Sequence, residues 1–166
     1  LGEAMFNKLK EAFGMGNRKS VILAPVQGEV CPLNEVSDPT FGEGILGKGV
    51  AIKPDKGRIV APVDGVVTIM FDTKHAVTIT SDSGAEILIH IGLDTVNLKG
   101  EHFTSHVKAE DRVKAGDLLV EFDLPKIKEA GYDVITPVVI CNSDNFPNLT
   151  TITGKTVNEL DEIINI

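Results

Sequence analysis

The sequence predicts an all-β fold, with many short strands packed as a sandwich or partly open barrel and one or two short helices. Three observations predict it. The apolar residues lean on Val and Ile, while aromatics make up only 5% of the chain, with one Tyr and no Trp. Gly 16 and Pro 8 cluster into turn signals such as PVQG, NEVSDP, PDKG, PVDG, SDSG and KAGD. Between those signals the apolar runs are short, and none approaches the roughly 20 residues needed to cross a bilayer.

Residues 5–13 place Met5, Phe6, Leu9, Ala12 and Phe13 on one face of a short amphipathic helix that stops at Gly14 and Gly16. A flexible linker follows, so residues 1–19 read as helix and linker and residues 20–166 as the folded domain. The helix suits weak contact with a membrane or partner, and equally an ordinary packing role. Strands are expected over 21–24, 50–52, 59–61, 66–70, 76–79, 86–91, 118–122 and 134–140. Pro125 opens a short helix that Gly131 stops, and a second helical turn is expected after Leu93. The stretch Ala24-Pro25-Val26-Gln27-Gly28-Glu29-Val30 recurs 37 residues later as Ala61-Pro62-Val63-Asp64-Gly65-Val66-Val67. In each copy Pro presets φ and Gly supplies a turn between two strands, which predicts pseudo-symmetry inside one domain.

A formal charge of −8 repels nucleic-acid phosphates and anionic lipid and attracts basic protein surfaces. No nucleic-acid function is expected. No basic segment followed by an apolar one opens the chain, so a cytoplasmic setting is expected. Cys31 and Cys141 are 110 positions apart. That spacing allows one long-range disulfide, but two buried thiols are the expected state.

The chemistry-bearing residues are the four histidines, His75, His90, His102 and His106. His90 stands in the apolar run Ile87-Leu88-Ile89-His90-Ile91-Gly92-Leu93-Asp94-Thr95, where an unpaired buried ring would be costly. On a strand it shares a face with Leu88 and Gly92, and Gly92 would leave space for a ligand. The turn at 81–84 folds the strands on either side into an antiparallel hairpin, bringing His75 and His90 together across it. Two adjacent imidazoles suit a satisfied structural pair, a metal site lacking further ligands, or a phosphoryl-accepting pair with donors from Thr73 and the backbone. His102 and His106 lie in a polar stretch and read as surface residues. Phe41, Ile45, Leu46 and Phe71 stand in turn-rich text and would form a docking patch if exposed.

The stretches APVQGEV (24–30), GKGVAIKP (47–54), APVDGVV (61–67), KHAVTI (74–79), SDSGAEILIHIGLDTV (81–96), LKGEHF (98–103), VKAGDLLVEFDLPKIKEAG (113–131) and TPVVICN (136–142) resemble the glucose-type enzyme IIA family of the bacterial phosphoenolpyruvate:sugar phosphotransferase system. The resemblance implies a distorted antiparallel β-sandwich. It implies that His90 carries the phosphoryl group at Nε2, that His75 stabilises it, and that Thr73 orients His75. The donor would be phosphohistidine on the small carrier HPr and the acceptor a cysteine on the IIB domain of a sugar permease, with no cofactor required. Phe41, Ile45, Leu46, Phe71, Leu88 and Val96 fall on the family's apolar docking rim, and Asp38 and Asp94 where carboxylates meet partner arginines. Pro39-Thr40 departs from that rim by being stiffer and more polar, and residues 151–166 match the family poorly. Residues 5–13 resemble the membrane-tethering tail of free-standing enteric members, which would place the protein at the inner face of the membrane, and equally the linker of a fused permease. In enteric relatives the unphosphorylated protein also inhibits permeases and glycerol kinase, with a zinc ion between the two histidines and a partner carboxylate. By resemblance that ion would fall on His75 and His90.

Two other readings fail on spacing. A lysostaphin-like zinc peptidase would use the HxxxD formed by His90 and Asp94 but also needs an HxH, which the chain lacks. A biotinyl or lipoyl carrier needs Met-Lys-Met or Asp-Lys-Ala at a hairpin tip, and neither tripeptide occurs.

Overall fold

The computed structural model describes residues 20–166, so the helix and linker expected over 1–19 lie outside the described residues. The first half of the described chain holds β1 (Val21–Leu23), β2 (Gly28–Pro32), β3 (Lys48–Pro54), β4 (Arg58–Val60), β5 (Gly65–Met70), β6 (Ala76–Ser81) and β7 (Glu86–His90). The second half holds β8 (Phe103–Ser105), β9 (Arg112–Val113), β10 (Leu118–Phe122), β11 (Thr136–Ile140), β12 (Thr150–Thr151), β13 (Lys155–Val157) and β14 (Glu162–Asn165). Eight strands form one antiparallel sheet in the order β13-β2-β3-β11-β7-β6-β5-β9. Two three-stranded antiparallel sheets, β1-β14-β12 and β4-β10-β8, complete the sandwich, and among the described residues no sheet closes into a barrel. Among the described residues helix is confined to short pieces, chiefly Pro39–Gly42 and Leu124–Glu129, each capped by an aspartate side chain and begun with Pro in its first turn. None of the described helices is long and apolar enough to cross a membrane.

The repeat seen in the sequence is the visible part of a two-fold arrangement. In each copy a strand of a small sheet (β1 or β4) passes through the Ala-Pro-Val turn into a strand of the large sheet (β2 or β5). The copies bond each other reciprocally: Leu23 N–H donates to the Pro62 carbonyl at 3.0 Å and Val60 N–H to that of Pro25 at 2.9 Å. The symmetry continues where the sequence reading did not follow it. β9 leads into β10, and β13 into β14, through Val113-Lys114-Ala115-Gly116-Asp117 and Val157-Asn158-Glu159-Leu160-Asp161. In both turns the Asp side chain accepts the backbone N–H three residues back, at 2.9 Å and 2.8 Å.

Alternation along the strands divides the buried residues between two faces of the large sheet. Val50, Ile52, Val77, Ile79, Ile87, Ile89, Val138 and Ile140 point inward and meet Ile22, Ile59, Leu119, Ile163 and Ile164 from the small sheets. Their neighbours Cys31, Ala51, Ala76, Leu88 and Val139 point outward, where Leu33, Val36 and Phe41 cover them as a second, smaller cluster. Cys31 is buried there, whereas Cys141 is exposed, so the expectation of two buried thiols holds for only one; neither forms a disulfide.

Candidate active site

The site sits on that outer face, at the end of the β6–β7 hairpin. Pairing runs Thr80↔Glu86 through Ala76↔His90, so His90 closes β7 opposite Ala76. His75 stands one residue beyond, its carbonyl accepting the Ile91 N–H at 2.7 Å. The two rings meet edge to face with centroids 4.8 Å apart. Phe41 also packs against His90, with centroids 4.9 Å apart, and Phe71 meets His75 edge-on at 5.6 Å.

Each ring is held by its Nδ1. That of His90 lies 2.7 Å from the Gly92 carbonyl, which can only accept, so Nδ1 carries the proton and donates it. The Nε2 lone pair of the neutral ring is then available. His75 Nδ1 lies 2.6 Å from the Thr73 hydroxyl. Among the described residues every buried side-chain nitrogen and oxygen has a partner, so Nε2 of both rings, which has none, reaches the surface.

Burial also sets the protonation. It pushes His75 down to about 4, with neighbouring His90 adding to the shift. Burial lowers His90 too, against the bond to Gly92 and the carboxylates of Asp38 and Asp94, which pull the other way. Both rings are therefore neutral at pH 7.

Gly92 does something other than leave space. Its φ is +77°, and a Cβ there would meet the Asp133 carbonyl at 2.8 Å and Thr95 Cγ2 at 2.7 Å. Its role is to turn its carbonyl onto His90. Leu93 N–H bonds the Asp133 carbonyl at 2.9 Å, and the buried Thr95 hydroxyl bonds the Ile91 carbonyl, so the turn is pinned from both sides. Nothing in the local text marks Asp133, because a backbone acceptor 40 residues from Leu93 leaves no trace there.

The expected docking residues divide. Ile45, Phe71 and Val96 are exposed, at 67%, 36% and 47% of their surface. Phe41 and Leu88 are instead buried in the second cluster, with Leu46 partly buried against it, so these three support the site from below. Asp38 is half-buried and caps Thr40, and Asp94 is exposed with a left-handed φ of 59°. His102 and His106 stand apart from the pair, beside Glu101 and Glu121. Among the described residues no group of three or more His, Cys, Asp or Glu side chains is placed to hold a metal ion. The two imidazoles alone make half a zinc shell.

A family model described as the phosphoenolpyruvate-dependent sugar phosphotransferase system, EIIA 1, matches residues 20–146. The chain belongs to that family. As an EIIA protein it is a phosphotransferase component, a phosphoryl carrier in sugar uptake. It is 58% identical over 128 residues to the beta-glucoside-specific EIIBCA component of Bacillus subtilis, covering 77% of this chain and 21% of that one. The chain thus spans about a fifth of that fused relative. It is 45% identical over 165 residues to the glucose-specific EIIA component of Oceanobacillus iheyensis, covering 97% of this EIIA chain and 100% of the relative. Among solved structures, glucose permease IIA from Mycoplasma capricolum superposes with a TM-score of 0.78 at 39% identity, over 87% of this chain and 93% of that one.

Proposed function

We propose that residues 20–166 form the carrier domain and that His90 accepts the phosphoryl group at Nε2 from phospho-HPr and passes it to the IIB domain of a glucose-family permease. The observation that carries this is the pair of neutral rings, each tied through Nδ1 and open at Nε2, 4.8 Å apart between centroids. The N–P bond on the donor breaks as a bond to the His90 Nε2 lone pair forms. The Nδ1 proton stays on the ring, where the Gly92 carbonyl steadies the positive charge that develops. His75 serves as the neighbouring donor. With the Thr73 hydroxyl donating to Nδ1, the proton of neutral His75 sits on Nε2 and points to the incoming phosphoryl oxygens. Among the described residues no carboxylate is hydrogen-bonded to the His90 ring to activate water against the phosphohistidine. Ile45, Phe71 and Val96 exclude water around the transfer, while Asp38 and Asp94 orient basic groups of either partner.

The cycle requires no cofactor. A zinc ion between His75 and His90 would take its remaining ligands from a bound partner and belongs to a separate, regulatory state.

The test is loading of the purified protein by phosphoenolpyruvate, enzyme I and HPr, read by mass spectrometry and phosphorus NMR. Wild type is expected to gain one acid-labile phosphoryl group, His90→Gln none, and His75→Gln one that is not passed to IIB. No uptake by wild type would sink the carrier reading of this site.

A further inference from the structure

The register of β5 against β6 slips between Val67 and Ile69. Val67 pairs with Ile79, and Ile69 pairs with the next residue back, Thr78, so Thr68 and Ile69 together oppose one residue. Regular alternation from the buried Val67 would send Ile69 into the main core with it. The bulge turns it the other way. Met70 takes the inward place against the core, and Ile69 stands 50% exposed. Thr68 turns out beside it, its hydroxyl 2.8 Å from that of Thr78.

The face Ile69 joins is that of the site. Thr78 pairs onward with Leu88 and Ala76 with His90, so Ile69, Thr78 and Leu88 form one row and Ala76 and His90 the next. Phe71, bonded through its N–H to the Ala76 carbonyl, extends the second row. Ile69 is therefore two strands across and two residues along from His90, about 12 Å at ordinary strand spacings. β9 pairs with β5 only at Gly65 and Val66, so among the described residues no strand flanks β5 at Ile69.

A lone exposed Ile is unremarkable on a protein surface. Here a bulge has moved it out of the core onto the reacting face, next to a second exposed apolar residue, Phe71. Resting on the carrier reading above, we propose that Ile69 is a docking residue for the phosphoryl donor, a protein face with an apolar centre and a basic rim. A partner burying about 800 Å² on this chain covers a disc of roughly 16 Å radius, and a disc centred on His90 includes Ile69. Asp38 and Asp94 supply the complementary charge near His90.

The experiment measures loading rates against phospho-HPr concentration for wild type, Ile69→Thr and Ile69→Lys, with urea melts of all three. Thr keeps the β-branch the strand prefers and leaves the fold intact. Ile69→Thr is expected to raise the KM for phospho-HPr about fivefold with kcat unchanged, as loss of an interface anchor does. Ile69→Lys, which puts a cation against the basic rim, is expected to raise it further and to be relieved by salt. A KM within twofold of wild type for both variants overturns the proposal while leaving the carrier reading intact. A defect confined to transfer onto IIB, with loading unaffected, overturns it as well. Failure of wild type itself to load strikes the carrier reading instead.

Discussion

Thr73 shows how much can hang on one hydroxyl. Its contact with His75 Nδ1 is 2.6 Å, and its direction decides which nitrogen of His75 holds the proton. Thr73→Val keeps the shape and removes the donor, so the neutral ring loses its preference for the Nε2–H tautomer. Onward phosphoryl transfer is expected to fall about tenfold, the worth of roughly one hydrogen bond. Thr73→Ser is expected to restore most of it. Single-turnover transfer from the phosphorylated protein to IIB decides the matter; equal rates for Val and Ser would mean that packing, and not the hydroxyl, positions His75. His75 and His90 themselves were legible in the text, because a polar ring in an apolar strand and a second one across a four-residue turn are local features. The buried state of Phe41 was not, because its cover comes from strands distant in the chain.

Among the elements, the turn after β7 carries the strictest requirement. Gly92 must hold a left-handed φ of +77° with no side chain, or its carbonyl leaves His90. Gly92→Ala puts a methyl 2.8 Å from the Asp133 carbonyl as well as into an unfavourable φ. It is expected to cost at least about 2 kcal/mol, seen as a lower urea midpoint at unchanged m-value. An unchanged midpoint would show that the turn can relax. Prediction of elements was strongest where apolar runs met turn residues: 118–122 is Leu118–Phe122, 66–70 lies within Gly65–Met70, and the helix begun near Pro125 is Leu124–Glu129. It was weakest at β8, β9, β12, β13 and β14, none of which was expected. Those strands are two to four residues long, and their pairing partners, not their own composition, hold them in place. β14 buries Ile163 and Ile164 completely, although the surrounding text resembles the family little.

For the whole molecule, the buried histidine ties the site to global stability. His75 takes up its proton at about 4 in the folded chain, against 6.5 for the free side chain. Between those values the unfolded chain holds more protons, so stability is level above pH 6.5 and declines as pH drops toward 4. The contribution of this group is on the order of 3 kcal/mol. Urea unfolding across that range should show the decline in wild type and a shallower one in His75→Gln; identical curves would mean that the ring titrates normally in the folded protein. The all-β class, the repeated Ala-Pro-Val turn and the hairpin that joins His75 to His90 are written in the linear order of the residues. Each of these follows from short-range rules, in which turn residues and alternating side chains act within a few positions. Which apolar residues are exposed is settled by tertiary packing, because Phe41 and Leu88 cover each other across segments far apart in the chain while the β5 bulge turns Ile69 outward. The same packing decides that Gly92 serves through its carbonyl, since Asp133 and Thr95 close the space its missing side chain leaves. Burial and aim depend on contacts between segments far apart in the chain, and local patterning carries no record of them.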